Sequence, residues 1–196
     1  EYHHFNIYGT LKAIGTENDS IIFDNFGGER WQGFTLEGVS DETEFQYVRI
    51  SGAEKELYGA GMALENSDPI LTHVTIANNT AIMWGGGGMI LIQSNPTLTY
   101  VNIVNNSGGS YVGGGMYIYH SNPTLTHVTI VNNMVEEKGG GIYLDSSDPI
   151  LTHVTIANNT ANYGGGMFLM WESNPILIQV TIANNTANYG GGIFSG

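Results

Sequence analysis

The feature that most constrains this chain is a pattern that recurs five times. Asn95-Pro96-Thr97-Leu98-Thr99-Tyr100-Val101-Asn102-Ile103-Val104-Asn105-Asn106 has close copies at 68–79, 122–133, 148–159 and 174–185. Prolines stand at 69, 96, 123, 149 and 175, and glycine clusters at 85–88, 113–115, 139–141, 164–166 and 190–192. Every spacing is 25 to 27 residues, so one supersecondary unit is repeated with single-residue slippage. A weaker match carries the array upstream: Phe45 to Ile50 aligns with Leu71 to Ile76, and Gly33-Phe34-Thr35-Leu36 with Gly61-Met62-Ala63-Leu64.

Column by column, the pattern specifies strands. Val48, Val74, Val101, Val128, Val154 and Val180 each precede by two residues Ile50, Ile76, Ile103, Ile130, Ile156 or Ile182. That spacing is the period of a β-strand, so both columns face one way, and Thr75, Asn102, Thr129, Thr155 and Thr181 face the other. A second strand runs from Met62 to Leu64 and recurs at Met89, Met116, Ile142 and Met167, with its ends inward. Leu71, Leu98, Leu125, Leu151 and Leu177 sit three residues before the valines, so a bend must intervene if both are to face inward. Three short inward-facing strands per circuit, stacked like on like, predict an all-β chain of a single parallel β-helix, with coils of 25–27 residues. A leucine-rich horseshoe needs a denser leucine pattern, and a propeller blade needs roughly 40 residues.

Residues 1–30 read as an atypical N-terminal coil or cap, with short strands around Phe5, Ile7, Leu11, Ala13 and Ile21-Ile22-Phe23, and turns at Gly9, Gly15, Asn18-Asp19 and Gly27-Gly28. Residues 31–196 read as regular coils in the same single domain. The chain stops at the start of another circuit, so the expectation is an uncapped or truncated C-terminal end open to self-association.

Composition narrows the function classes. Eighteen acids against five Lys and Arg give a formal net charge of −13, which makes nucleic acid a poor partner. Thirteen of the acids and four of the bases lie within residues 1–68, leaving hydroxyls, amides and aromatics on the later coils. No cysteine is present, and no stretch is long or apolar enough to insert in a membrane. Residue 1 is not Met, and the chain reads as a processed or excised piece with any targeting signal upstream.

Most columns have a structural account. In each asparagine pair, alternation places the first member (Asn78, Asn105, Asn132, Asn158, Asn184) inward as an amide ladder. The second member then serves as the left-handed turn residue. Four of these first asparagines, with Asn18, also head Asn-x-Ser/Thr sequons, which a buried ladder would keep unmodified. The glycine clusters lack phosphate-loop spacing and are read as positions of positive φ or close coil approach. His73, His127 and His153 share a column with Tyr47, Tyr100 and Gln179; without a repeated acid or cysteine beside them, they are read as corner residues, not zinc ligands. Asp145 and Asp148 flank one turn, with Glu65, Asp68 and Glu172 at matching turns. One such pair supplies too few oxygens for calcium, so no metal site and no cofactor is expected.

The outer face is where function has room. Tyr58, Trp84, Tyr111, Tyr163 and Tyr189 stand before the glycines as one column interrupted by Lys138, and Ile90, Tyr117, Tyr143, Phe168 and Phe194 follow the inward Met or Ile on the outward side. Tyr58, Trp84, Tyr111, Tyr163, Tyr189, Tyr117, Tyr143 and Phe168 are therefore the candidate contacts for a polysaccharide or a surface protein.

The repeated S-x-P-x-L-x-x-V-x-I-x-N-N-T-A with its following Gly-Gly-Gly-Met/Ile, as in Ser94 to Met116 and Ser147 to Met167, resembles secreted bacterial right-handed parallel β-helix proteins. Its Gly-rich repeats look like adhesin-like, polymorphic outer-membrane-type passenger domains, and the wider fold is that of pectate lyases. Gly9 to Phe23 resembles the usual opening coil. The resemblance implies a right-handed helix and a secreted or cell-surface location. It also raises a polysaccharide lyase or glycoside hydrolase, yet from residue 69 onward Lys138 is the one basic side chain besides histidine. Asp145 and Glu172 do not form an evident paired-carboxylate site. The expectation is a non-catalytic scaffold or adhesin, with an enzyme or a protein-contact module as alternatives.

Overall fold

In the computed structural model, which describes residues 3–25 and 30–196, the chain is a parallel β-solenoid of about seven turns. One sheet holds eight strands: His3–Ile7, Trp31–Glu37, Met62–Glu65, Met89–Ile92, Met116–Tyr119, Ile142–Asp145, Met167–Met170 and Ile193–Ser195. Neighbours in space are one coil apart in sequence, paired in parallel, as in Met89 with Met62 and Met116. A second sheet of twelve strands carries the proline-to-alanine segment of each coil. There Ile70–Ala77 is continuous, whereas later coils divide it, as at Thr97–Thr99 and Asn102–Val104. A short third side begins with Glu54–Lys55 beside Thr80–Ala81 and continues as bridges from Thr80 through Ser107, Met134 and Thr160 to Thr186.

The inward columns fill the core as the periodicity requires. Leu71, Val74, Ile76, Met62 and Leu64 are fully buried, and so are their equivalents through the middle coils. Each such side chain contributes roughly 1.5–3 kcal/mol by leaving water. The bend demanded by the Leu-to-Val spacing lies at Tyr47, His73, Tyr100, His127, His153 and Gln179, all with φ between +49° and +55°. One left-handed residue turns the strand and resets which face comes next.

The asparagine pair is the reverse of the alternation-based expectation. The first member carries positive φ, 57° at Asn78 and 56° at Asn105, and is exposed. The second member is buried and makes the ladder: Asn106 Oδ1 accepts from both the backbone N–H and Nδ2 of Asn79, each at 3.0 Å. Asn106 Nδ2 donates to Ile76 O at 3.0 Å and Asn133 Oδ1 at 3.1 Å. The strand ends before the pair, so the left-handed first residue rotates the next side chain inward. The sequon asparagines therefore face solvent, and burial does not protect them.

A ladder absent from the sequence-based account accompanies it. Ser67, Ser94, Ser121, Ser147 and Ser173 are buried, and each of the later four accepts at Oγ from the backbone N–H of the serine one coil earlier, at 2.9 to 3.2 Å. Next to it, Asn122 N donates to Asn95 Oδ1 and Asp148 N to Asn122 Oδ1, both at 2.7 Å. No buried side-chain N or O is left without a partner among the described residues.

His3–Ile7, Lys12–Ile14 and Ile21–Phe23 pair in parallel with the following coil, with a small Thr16 to Asp19 antiparallel bridge inserted. Aromatic rings fill this coil in place of aliphatics. Phe34 stacks on Phe5 at 5.1 Å and meets Phe23 edge-on at 4.8 Å, and Trp31 Nε1 donates to Ser51 O at 2.9 Å. Gly27 and Gly28, expected as a turn, lie outside the described residues.

Candidate functional site

The aromatic candidates fall on two structural features: the outer face of the eight-stranded sheet and the loop that carries each coil from its third side to the glycines. On the sheet, Ile90, Tyr117, Tyr143, Phe168 and Phe194 form one in-register outward column, and Ile92, Tyr119, Asp145 and Met170 a second. The first column does point away from the core, yet it is not generally exposed. Ile90, Tyr143 and Phe168 are only 2%, 6% and 3% exposed, because the preceding loop folds over them. Gly59 and Gly86 lie against Ile90, Gly139 against Tyr143, and Lys138 Nζ sits 5.3 Å above the Phe168 ring. Tyr143 and Phe168, expected as outward contacts, are thus an outer core layer, while Tyr117 is half-buried.

Burial sets the acidity of these phenols. Tyr143 is pushed up to about 12, first by desolvation and then by the Asp145 carboxylate, and Tyr117 is pushed up further by the same causes together with Tyr143 and Tyr119. Both stay neutral in the folded chain beyond pH 10, where an unfolded tyrosine ionises. Their contribution to stability is complete below about pH 10 and is lost as pH rises toward 12. Alkaline denaturation should accordingly start between these values. A Tyr117→Phe, Tyr143→Phe double variant should delay that onset; an unchanged onset contradicts the assignment.

The loop candidates do not form one column. Tyr58, Gly85, Val112, Lys138, Tyr163 and Tyr189 are bridged in sequence from coil to coil. Trp84 and Tyr111 stand one residue earlier: Trp84 N donates to Leu57 O at 2.8 Å, and Tyr111 O accepts from Lys138 N at 3.0 Å. The cause is local length. A fourth glycine follows Trp84, and Val112 separates Tyr111 from its glycines.

Two separate clusters result. Tyr163 stacks on Tyr189 at 4.9 Å and meets Phe194 edge-on at 5.5 Å, beside Glu137 and Lys138. Toward the other end, Leu57, Tyr58, Trp84, Ile90, Ile92, Tyr117 and Tyr119 line a cleft of about 340 Å³ between the loop ridge and the sheet. Trp84 stacks on Tyr111 at 4.9 Å along its rim. A smaller hollow of about 160 Å³ shares Leu57, Tyr58 and Ile92 with this cleft and extends it to Thr35, Lys55 and Glu65. Lys55 Nζ donates to Thr35 Oγ1 at 3.0 Å, and burial lowers its pKa.

The cleft gathers Tyr58, Trp84 and Tyr117 from the candidate set, with Tyr111 adjoining, and leaves Tyr163 and Tyr189 elsewhere. It adds Tyr119, Leu57 and Ile92, while Ile82 and Met83 lengthen the ridge; Leu57, Ile92, Ile82 and Met83 carried no functional expectation. Their signal was departure from the repeat. Leu57, Ile82, Met83 and Trp84 are 44–50% exposed, where the matching loops of later coils carry Glu136, Glu137, Asn162 and Asn188. A repeat accounts for what recurs, so an apolar patch confined to a few coils needs another cause.

Among the described residues, no three His, Cys, Asp or Glu side chains gather as a metal cluster. The Asp148 carboxylate, one of the turn acids, accepts the Asn174 backbone N–H at 2.6 Å. Neither Asp145 nor Glu172 lines the cleft. No helix long and apolar enough to cross a membrane occurs among the described residues.

No curated protein and no solved structure matches the chain. The in-register parallel coils, their inward Leu, Val and Ile columns and their polar corner ladders agree with the family model for a right handed beta helix region, which matches residues 13–187, and the chain belongs to that family.

Proposed function

We propose that the chain is a non-catalytic, secreted or surface-displayed β-solenoid that holds a neutral glycan chain in the cleft between Tyr58, Trp84, Tyr117 and Tyr119. The observation that carries this reading is the convergence of four aromatic side chains from three coils on one cleft. Ligand sites are mostly apolar and aromatic with a few polar groups, and the phenol hydroxyls supply such groups here. A sugar ring presents an apolar C–H face to an aromatic ring and hydroxyls to its edge. The net charge of −13 opposes an acidic polymer, which favours a neutral one. Further rings along the loop, such as Tyr111, add modest contacts that gain by avidity along one chain.

The test is a glycan-array screen with the wild-type chain, followed by titration of any hit. Trp84→Ala and Tyr58→Ala should each weaken binding at least tenfold, roughly 1.4 kcal/mol, while Tyr163→Ala with Tyr189→Ala should leave it nearly unchanged. Loss confined to the second pair, or no neutral glycan retained, overturns the assignment. The exposed Leu57, Ile82 and Met83 favour a second reading, a protein partner docked on the ridge. It predicts that Ile82→Ser with Met83→Ser abolishes a pull-down partner without altering glycan binding.

A further inference from the structure

The twelve-stranded sheet carries a feature that neither the core nor the cleft requires. At its bend, Tyr47, His73, Tyr100, His127, His153 and Gln179 are left-handed. That conformation costs a non-glycine side chain about 1–2 kcal/mol, and glycine or asparagine relieves it. At the next bend the chain uses asparagine in every coil from Asn78 to Asn184, yet at this bend it uses none. The backbone alone does not explain the choice of rings here.

These rings stand outward and stack along the solenoid axis. Centroids are 4.6 Å apart from Tyr47 to His73, 4.9 Å from His73 to Tyr100 and 4.8 Å from Tyr100 to His127, with planes within 4° of parallel. His127 and His153 are the one adjacent pair of imidazoles in the column, 4.8 Å apart and 2° from parallel, and both are exposed. On either side the outward neighbours are Thr126, Thr152, Thr129 and Thr155, paired across the two coils. No charged side chain interrupts these strands, while the chain as a whole is strongly anionic and favours an approaching cation.

We propose that His127 and His153 form a two-imidazole site for a borderline divalent transition ion such as zinc, with water completing the coordination. Neutral imidazole is the commonest protein ligand for such ions, and carboxylate-seeking calcium or magnesium finds no acid in the four strands that flank the two histidines. Zinc binds imidazole nitrogen at about 2.0–2.1 Å and prefers a tetrahedral shell, so two nitrogens on one ion lie about 3.4 Å apart. The nitrogen lone pairs lie in the ring planes and run parallel in the stack, so capturing one ion requires both rings to turn out of the stack and tilt toward each other, a rotation open to exposed side chains. Adjacent positions on neighbouring coils keep the two imidazoles within reach of a single ion. His73, between two tyrosines, has no second imidazole beside it.

The site lies on a different sheet from the cleft and is independent of the glycan reading. Its test is calorimetric titration of the full chain with zinc chloride, in a background where the exposed His3, His4 and His120 are replaced by alanine. One ion per chain is expected, with His127→Ala and His153→Ala each weakening binding at least tenfold and His73→Ala leaving it unchanged. Tyr100→His should join His73 to the pair as four successive imidazoles and tighten binding at least fivefold or add a second ion. Circular dichroism checks that each variant is folded. Absence of saturable binding at micromolar protein overturns the proposal, as does undiminished binding in the His127→Ala, His153→Ala double variant.

Discussion

Asn106→Ala should lower the stability of the solenoid by about 3–5 kcal/mol, while Asn105→Ala, one residue away, should cost about 1 kcal/mol. The Asn106 amide joins three coils. It accepts from the Asn79 backbone and side chain and donates to Ile76 O and Asn133 Oδ1, all in the dry interior. Truncation strands several buried polar groups, each worth about 1–3 kcal/mol when unpaired, and relaxation recovers part of the sum. Asn105 is exposed and contributes mainly its tolerance of φ +56°, so Asn105→Gly should be nearly silent. For a chain of this length the Asn106→Ala loss corresponds to a drop in Tm on the order of 10 °C. Thermal unfolding followed by circular dichroism measures it. Equal losses for Asn105→Ala and Asn106→Ala would mean that the ladder does not sit on the second asparagine.

Gly140→Val should be more damaging still, with a loss of more than about 3 kcal/mol or failure to fold. A Cβ at Gly140 would lie 2.5 Å from Gly165 O and 2.7 Å from Thr160 O. Both atoms are backbone in the next coil, so no side-chain rotation relieves the contact and the coils must separate. Separation also breaks the hydrogen bond from Gly140 N to Gly164 O. Gly9→Ala is the control, since a Cβ there meets nothing within 4 Å. Hydrogen exchange should show the Gly140→Val damage centred on the coils around 139–166, because each coil of a solenoid contacts only its neighbours. An unchanged transition would contradict close coil packing at the glycines.

The cleft was partly legible in advance. Tyr58, Trp84, Tyr111 and Tyr117 stood out as outward aromatics, but so did Tyr143 and Phe168, which the structure buries. Strand alternation distinguishes the inside of a coil from the outside, and it has no information about what lies over the outside. The cover on Tyr143 includes Gly139, four residues upstream, and the cover on Phe168 includes Lys138, about thirty residues upstream and one coil away. The serine ladder went unread for a related reason. Ser94 and its equivalents sit between a left-handed residue and a proline, outside any strand whose period could orient them.

By itself the sequence determined the coil: its length, its three inward strands, the need for a bend between Leu71 and Val74, and the stacking of like on like. Those follow from a two-residue period repeated in register, which leaves one way to bury Leu, Val and Ile together. Only the tertiary structure decided which asparagine turns inward, which outward rings are covered, and which aromatics meet. A single residue of positive φ reverses the facing of the one after it, and a one-residue insertion before the glycines moves a ring into another column. Both effects depend on where neighbouring coils lie, and that is how Tyr58, Trp84 and Tyr117 come to share a cleft while Tyr163 and Tyr189, from the same motif, do not.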